Sequence, residues 1–150
     1  MIKINSEVLK HFAKQGLSIN EGIAIDARLV HSASRPISND QIKELREKRQ
    51  SPEGKLDKNG NPLKFSRDLE SDWVVQNDQP HYGLKEHASV DVNNGFILAT
   101  TITPASCHDS PYLPYCTIHS LHTDQELNKV YADKGYHGEP NRDFLNLNHI

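Results

Sequence analysis

Gly22-Ile23-Ala24-Ile25-Asp26-Ala27-Arg28-Leu29-Val30 sets one carboxylate inside an apolar run, and Val130-Tyr131-Ala132-Asp133 ends a second run on another. A carboxylate within or at the tip of a buried strand is expensive to desolvate, so it normally has a partner or a metal ion. Between the two runs lies a helix-forming segment. A helix joining strands in one sheet calls for a right-handed crossover. If that crossover sets the last strand beside the first, Asp26 and Asp133 become neighbours in an α/β sheet. Such sheets bind ligands at strand C-terminal ends where the strand order reverses. Two hard-oxygen donors at that place make a candidate divalent-cation site.

Working outward, the chain before residue 20 reads as a short helix over residues 6–15. Ser6 is the expected N-cap, Val8, Leu9 and Phe12 share a face, and Gly16 is the stop. Residues 33–72 read as a polar insertion with Pro36, Pro52, Pro62 and an Asn59-Gly60 turn, holding at most a short helix over 40–48. A hairpin follows, its strands at 81–91 and 95–103 joined through Asn93-Asn94-Gly95. On its first strand Leu84, Ala88 and Val90 alternate with Lys85, His87, Ser89 and Asp91, which predicts an apolar inner face and a polar outer one. On the second, Phe96, Leu98, Thr100 and Ile102 share a side. A helix opened by His108-Asp109-Ser110-Pro111 runs to about 121, with Asp109 or Ser110 as its cap. A strand at 129–133 and a last helix from about 139 complete the order.

Composition bounds the function. The 150 residues hold about one domain. The apolar fraction is 35% and the mean hydropathy is -0.69, so part of the chain is expected outside the core. A formal charge of -3 excludes a uniformly basic surface for nucleic acid. A local excess exists from Arg46 to Arg67, where seven cations face three acids and could track a DNA backbone. A solvated loop is the simpler reading, because Asp68, Glu70 and Asp72 just downstream dilute the excess. Two cysteines, Cys107 and Cys116, make no disulfide framework. With His108, His119 and His122 they match no common zinc spacing, and reduced thiols are the simpler reading. No apolar stretch reaches the ~18–20 residues needed to span a membrane, and no signal-peptide pattern opens the chain, so a cytoplasmic location is expected.

Five segments carry a family resemblance over about residues 20–140. Gly22–Ala27 resembles the first-aspartate strand of bacterial insertion-sequence transposases of the Asp-Asp-Glu (DDE) superfamily. His81-Tyr82-Gly83-Leu84-Lys85-Glu86-His87 is similar to their Tyr-Gly-x-Lys-x-His strand, and Asp91-Val92-Asn93-Asn94-Gly95 to their aspartate-to-glycine hairpin. Thr103–Ser110 resembles the segment ending in His-Asp-Ser, and Tyr131-Ala132-Asp133-Lys134-Gly135-Tyr136 the second catalytic aspartate with its Lys-Gly-Tyr tail.

The resemblance implies an RNase H-like mixed sheet, with three antiparallel strands and a parallel one reached by the helical crossover, over residues 21–150. It implies DNA cleavage and strand transfer at transposon ends with two Mg²⁺ or Mn²⁺ ions. Asp26 and Asp133 would be the catalytic metal ligands, and Lys85, His87, Lys134 and Tyr136 substrate contacts. His137 reads as a solvent-facing loop residue. The implied partners are transposon-end DNA and the full-length transposase or a second copy, with no membrane. The family's third ligand, a glutamate, lies well beyond the second aspartate, whereas Glu139 reads as a helix N-terminal residue. The expectation is a truncated core, incomplete at its C-terminus and inactive alone. The alternatives are a non-enzymatic DNA- or protein-binding remnant and an RNase H-like nuclease.

Overall fold

A computed structural model describes residues 2–16, 22–51, 56–57, 59–61, 68–121 and 127–150. The chain divides into two compact units, one formed by Met1–Arg28, Glu86–Ile102 and His108–Ile150, the other by Leu29–Lys85 and Thr103–Cys107. The elements are α1 (Ile2–Lys14), β1 (Ile23–His31), α2 (Asn39–Gln50), β2 (Asp72–Gln76), β3 (Gln79–Asp91), β4 (Ile97–Pro104), α3 (Tyr112–Ser120), β5 (Val130–Ala132) and α4 (Glu139–Leu147). The strands form one five-stranded mixed sheet in the order β2-β3-β1-β5, with β4 also paired to β3. The fold is therefore mixed α/β, as expected, but with one strand more than the sequence suggested.

In the first unit, β5 lies parallel to β1, with Ile23, Ala24 and Ile25 opposite Val130, Tyr131 and Ala132. Ile23 N–H donates to Lys129 O at 3.1 Å, and Val92 N–H to Gly22 O at 3.2 Å, so the start of β1 is tied on both sides. The core gathers Leu9, Ile23, Ile25, Leu98, Leu113, Cys116 and Tyr136. Phe12 stacks on Phe96 with ring centroids 4.7 Å apart. Helix α1 begins at Ile2 rather than Ser6. Its C-terminal stop is where the sequence put it, with Gly16 at φ +80° donating to Ala13 O.

The polar face of β3 is not solvated. His87, Ser89 and Asp91 are wholly buried, whereas Leu84, Ala88 and Val90 are only half-buried. The reason is α3, whose own face offers polar partners. His87 stacks on Tyr112 at 4.3 Å, and Ser89 Oγ shares a 2.6 Å hydrogen bond with Ser120 Oγ. Ser89 Oγ also accepts from Ala99 N–H at 3.1 Å. Asp91 Oδ2 accepts from the backbone and side chain of Asn94, both at 2.7 Å, and so fixes the hairpin turn. On β4, Leu98 is buried but Ile102 is exposed, so the expected single apolar side does not hold along the whole strand.

The second unit shows that residues 33–72 contribute structure. Helix α2 opens with a capping box, in which Ser38 Oγ accepts from Gln41 N–H and Gln41 Oε1 from Ser38 N–H. Strand β2 was not expected. It pairs antiparallel with β3, Asp72 opposite Gly83 and Gln76 opposite Gln79, through Asn77 and Asp78 at φ +51° and +60°. Two consecutive positive φ values are the signature of a type I′ turn. Trp73 Nε1–H donates to Ile37 O at 2.7 Å, and its ring packs on Tyr82, closing a small second core with Ile37 and Ile42. Arg46 donates from Nε to Leu69 O at 2.7 Å, so the first cation of the basic cluster is a structural clamp. Lys48 pairs with Glu44, while Lys55, Lys58, Lys64 and Arg67 lie outside the described residues. Asp68 accepts from Ser32 Oγ, from Ser71 Oγ and N–H, and from Glu70 N–H. Burial alone would raise its pKa. The hydrogen bonds from Ser32, Ser71 and Glu70 outweigh that and hold the carboxyl below its ordinary value.

Gly83 is set by close approach. A Cβ there would lie 2.1 Å from Val30 O, a backbone atom that cannot swing away. Gly95, at φ +72°, has open space around it. Gly83→Ala should therefore cost about 1–3 kcal/mol or more, and Gly95→Ala about 1–2 kcal/mol from its backbone conformation alone. Equal shifts in denaturant midpoint would rule out the close-approach argument. For Asp68 the depressed pKa means its contribution is present above about pH 4 and lost as pH falls through the folded value. The stability gap between wild type and Asp68→Asn should be full at pH 7 and narrow below pH ~4. A gap independent of pH would show that the carboxylate charge is not what the three donor residues hold.

Candidate functional site

Asp26 and Asp133 stand side by side because of register. The last described pair of the parallel ladder is Ile25 with Ala132, and each aspartate is the next residue along its strand. In-register residues on adjacent strands share a face. Each carboxylate is partly engaged at home. Asp26 Oδ1 accepts from Ala27 N–H at 2.8 Å, and Asp133 Oδ1 from Gly135 N–H at 2.8 Å. Among the described residues the Oδ2 atoms of both accept nothing. Both residues are exposed, so the premise of a desolvated carboxylate in a buried strand is corrected. Ile23 and Ile25 alone carry the burial of β1 here, and Asp26 lies on the opposite parity.

After Asp133 the chain makes a single 3-10 turn, Lys134–Tyr136, which leaves Lys134 exposed and drives Tyr136 into the core at 2% exposure. The Tyr136 hydroxyl has no hydrogen-bond partner among the described residues. Its pKa is pushed above the ordinary phenol range, first by burial and then by Asp109, Cys116, Asp26 and Asp133. That places three aspartates and a buried hydroxyl in one electrostatic neighbourhood. Asn141 holds the same corner together. Its buried Nδ2 donates to Ser110 O at 2.9 Å, Ser110 Oγ at 3.1 Å and Tyr136 O at 2.7 Å. Two hydrogens serving three acceptors means one is shared.

The other expected site residues separate. His87 is buried against Tyr112, and Tyr136 is buried in the core, so neither ring faces solvent and any part in binding DNA would be indirect. Lys85, in the second unit, donates from Nζ to Cys107 O at 2.7 Å. His137 is exposed, and Glu139 opens α4, as expected. Cys116 is a core residue whose thiol burial pushes up to about 11, and His122 lies outside the described residues. Asp109 was expected as the cap of α3. The cap position is Pro111, with no side-chain hydrogen bond, and Asp109 contributes its backbone carbonyl to Tyr112 N–H. Its place beside Asp133 is not apparent from capping logic, although the His-Asp-Ser segment was the available signal.

Hard oxygen donors side by side on a parallel strand pair suit a hard divalent cation. The family description that matches the sequence is "Transposase DDE domain", over residues 20–150. The chain belongs to that family. A curated relative, the transposase for insertion sequence element IS1106 of Neisseria meningitidis serogroup B, is 28% identical over 138 residues. The match takes in 91% of this chain, and the chain spans 43% of that relative's length. No solved structure matches significantly. The DDE transposases as a family imply a divalent cation, and the Asp26 and Asp133 carboxylates fit a hard one. Among the described residues, no three His, Cys, Asp or Glu side chains are already grouped to hold a metal ion. No helix among them is long and apolar enough to cross a membrane.

Removing the Asn141 amide would leave the Ser110 and Tyr136 carbonyls without a buried donor. Asn141→Ala should destabilise the chain by about 2–3 kcal/mol. Chemical denaturation would check this, and a change below about 0.5 kcal/mol, the range of ordinary surface substitutions, would remove Asn141 as the clamp of this corner.

Proposed function

We propose that this chain carries the aspartate pair of a transposase catalytic core acting on DNA at transposon ends, with an RNase H-like sheet as its scaffold. The observation that carries the reading is the pairing of β1 with β5, which sets Asp26 beside Asp133. These two residues would hold Mg²⁺ or Mn²⁺ through their Oδ2 atoms. A divalent cation supplies charge neutralisation and Lewis acidity at a scissile phosphate. The chain's own residues do the rest. The Ala27 and Gly135 amides fix the rotamers of the two carboxylates by binding Oδ1. Exposure of both acids leaves the phosphate open access, and Lys134, also exposed, would meet a backbone phosphate. His87 and Tyr136 support the site from the core side. Cleavage and joining by the whole transposase, its third acidic ligand and its association with a second copy belong to the same reading.

A second reading is a DNA- or protein-binding module without cleavage. The lack of three grouped ligand side chains among the described residues favours it.

Thermal unfolding against Mn²⁺ concentration separates the two. A ligand that binds only the folded state raises the midpoint as its concentration passes its Kd, adding about 2.7 kcal/mol of stability at a hundredfold excess over Kd. Wild type should be stabilised, and Asp26→Asn and Asp133→Asn should each lose the effect. A cooperatively folded wild type that Mn²⁺ leaves unmoved would establish the binding-only reading instead.

A further inference from the structure

The face of β1 that carries Asp26 also carries Arg28. Side chains alternate along a strand, so Arg28 follows Asp26 on the same side, about 6.6 Å further along. Both are exposed, whereas Ala27 between them is half-buried. Strand β3 lies beside β1, and its Glu86 accepts from Arg28 Nε across the two strands. The pair is unequal. The Glu86 side chain is 20% exposed and that of Arg28 78%, so the carboxylate is the fixed member and the guanidinium the one turned to solvent. Glu86 engages Nε alone, and the two terminal nitrogens of Arg28 make no hydrogen bond among the described residues. An ion pair with one member in water adds little to stability, so folding gives no strong reason for it. A guanidinium held at Nε, with both terminal nitrogens free, is a fork that binds a phosphate through two parallel hydrogen bonds.

We propose that Arg28 is a phosphate-binding residue beside the aspartate pair, with Glu86 as its positioning residue. Its fork grips a backbone phosphate of the DNA strand that lies over Asp26 and Asp133. The inference rests on the reading of those two acids given above, and it adds a contact of a different kind. Lys134 meets a phosphate as a point charge, whereas Arg28 meets it with a planar, oriented pair of donors. Glu86 has a second effect. A free guanidinium two residues from a carboxylate on one strand face would be drawn to pair with it. Here Arg28 pairs with Glu86 instead, and the one hydrogen bond to the Asp26 side chain is from Ala27 N–H. Glu86 thus keeps the cation off the aspartate and aims it at the substrate.

The test is binding of a short fluorescein-labelled DNA duplex of arbitrary sequence to the full chain with Mn²⁺ present, read by fluorescence anisotropy at several salt concentrations. The panel is wild type, Arg28→Gln, Arg28→Lys, Glu86→Ala and Lys10→Gln, the last removing another exposed, ion-paired cation. Circular dichroism melts confirm that each variant is folded. Arg28→Gln should weaken binding about tenfold and flatten the slope of log K against log salt by about 0.9. Arg28→Lys should keep the slope yet lose most of that affinity, because a point charge does not replace the fork. Removing the Glu86 charge would by simple attraction tighten DNA binding, whereas loss of its positioning role predicts a weaker complex for Glu86→Ala. Lys10→Gln should match wild type. Equal losses in Arg28→Gln and Lys10→Gln, wild-type affinity in Arg28→Lys, or tighter binding by Glu86→Ala would each overturn the proposal. So would a folded wild type that binds no DNA up to about 10⁻⁴ M, the weak end of non-specific affinity. Thermal unfolding with Mn²⁺ keeps the two readings apart. Stabilisation by Mn²⁺ in wild type and Arg28→Gln alike, with equal DNA binding, removes Arg28 and leaves the aspartate pair standing. A wild type that Mn²⁺ does not stabilise removes both.

Discussion

The parallel pairing of β1 with β5 is the constraint on which the rest of the first unit depends. It is short, with three paired positions, and it joins segments separated by more than a hundred residues of chain. A ladder of that length has little stability of its own, so its register must be set from outside. Lys129 O receives Ile23 N–H on one side of β1, and Gly22 O receives Val92 N–H on the other. A Cβ on Gly22 would come within 2.9 Å of that same Lys129 carbonyl, so the glycine is what lets the strand start this close. Because side chains alternate with period two, a slip of one residue would turn Asp26 to the opposite face and leave Asp133 alone. The chemistry of the site is thus held in backbone bonds at the start of the strand, several residues from either carboxylate.

Helix α3 is the second determinant. It lies over the strand face that carries His87 and Ser89, and it meets them with Tyr112 and Ser120 rather than with aliphatic side chains. A buried polar group is tolerated when it is paired, and the Ser89–Ser120 bond and the Asp91–Asn94 turn provide that pairing. Ser120 also donates to Cys116 O, and Thr117 to Leu113 O, so the helix satisfies its own hydroxyls internally. The low apolar fraction of the chain is in part the signature of this polar interior.

The same polar interior explains which features are legible in the sequence. The hairpin at Asn93-Asn94-Gly95, the crossover order and the juxtaposition of Asp26 with Asp133 are all readable, because turn chemistry and strand order are local signals. On β3 the alternation points to the wrong inner face. Alternation gives the period, but which parity faces inward depends on what the covering helix offers, and that is a tertiary fact. The β2–β3 hairpin escapes a sequence reading because the segment before it is polar and proline-rich, and its turn is Asn77-Asp78 rather than a glycine-bearing pair. Trp73 anchors the end of that segment through Ile37 and Tyr82 in a core of its own.

The carboxylates themselves illustrate a broader trade. Burying them would have stiffened the site but at a desolvation cost that only paired charges offset. Here Asp26 and Asp133 stay in water and are steadied by backbone amides alone, while the buried member of the cluster is a neutral hydroxyl. Carboxylates left in water carry no desolvation cost, so the fold does not depend on pairing them. The Tyr136 hydroxyl, like Asp91 Oδ1, is a buried polar atom with no hydrogen-bond partner among the described residues. Burial first, and then the negative field of Asp109, Asp26 and Asp133, holds that hydroxyl in its protonated form.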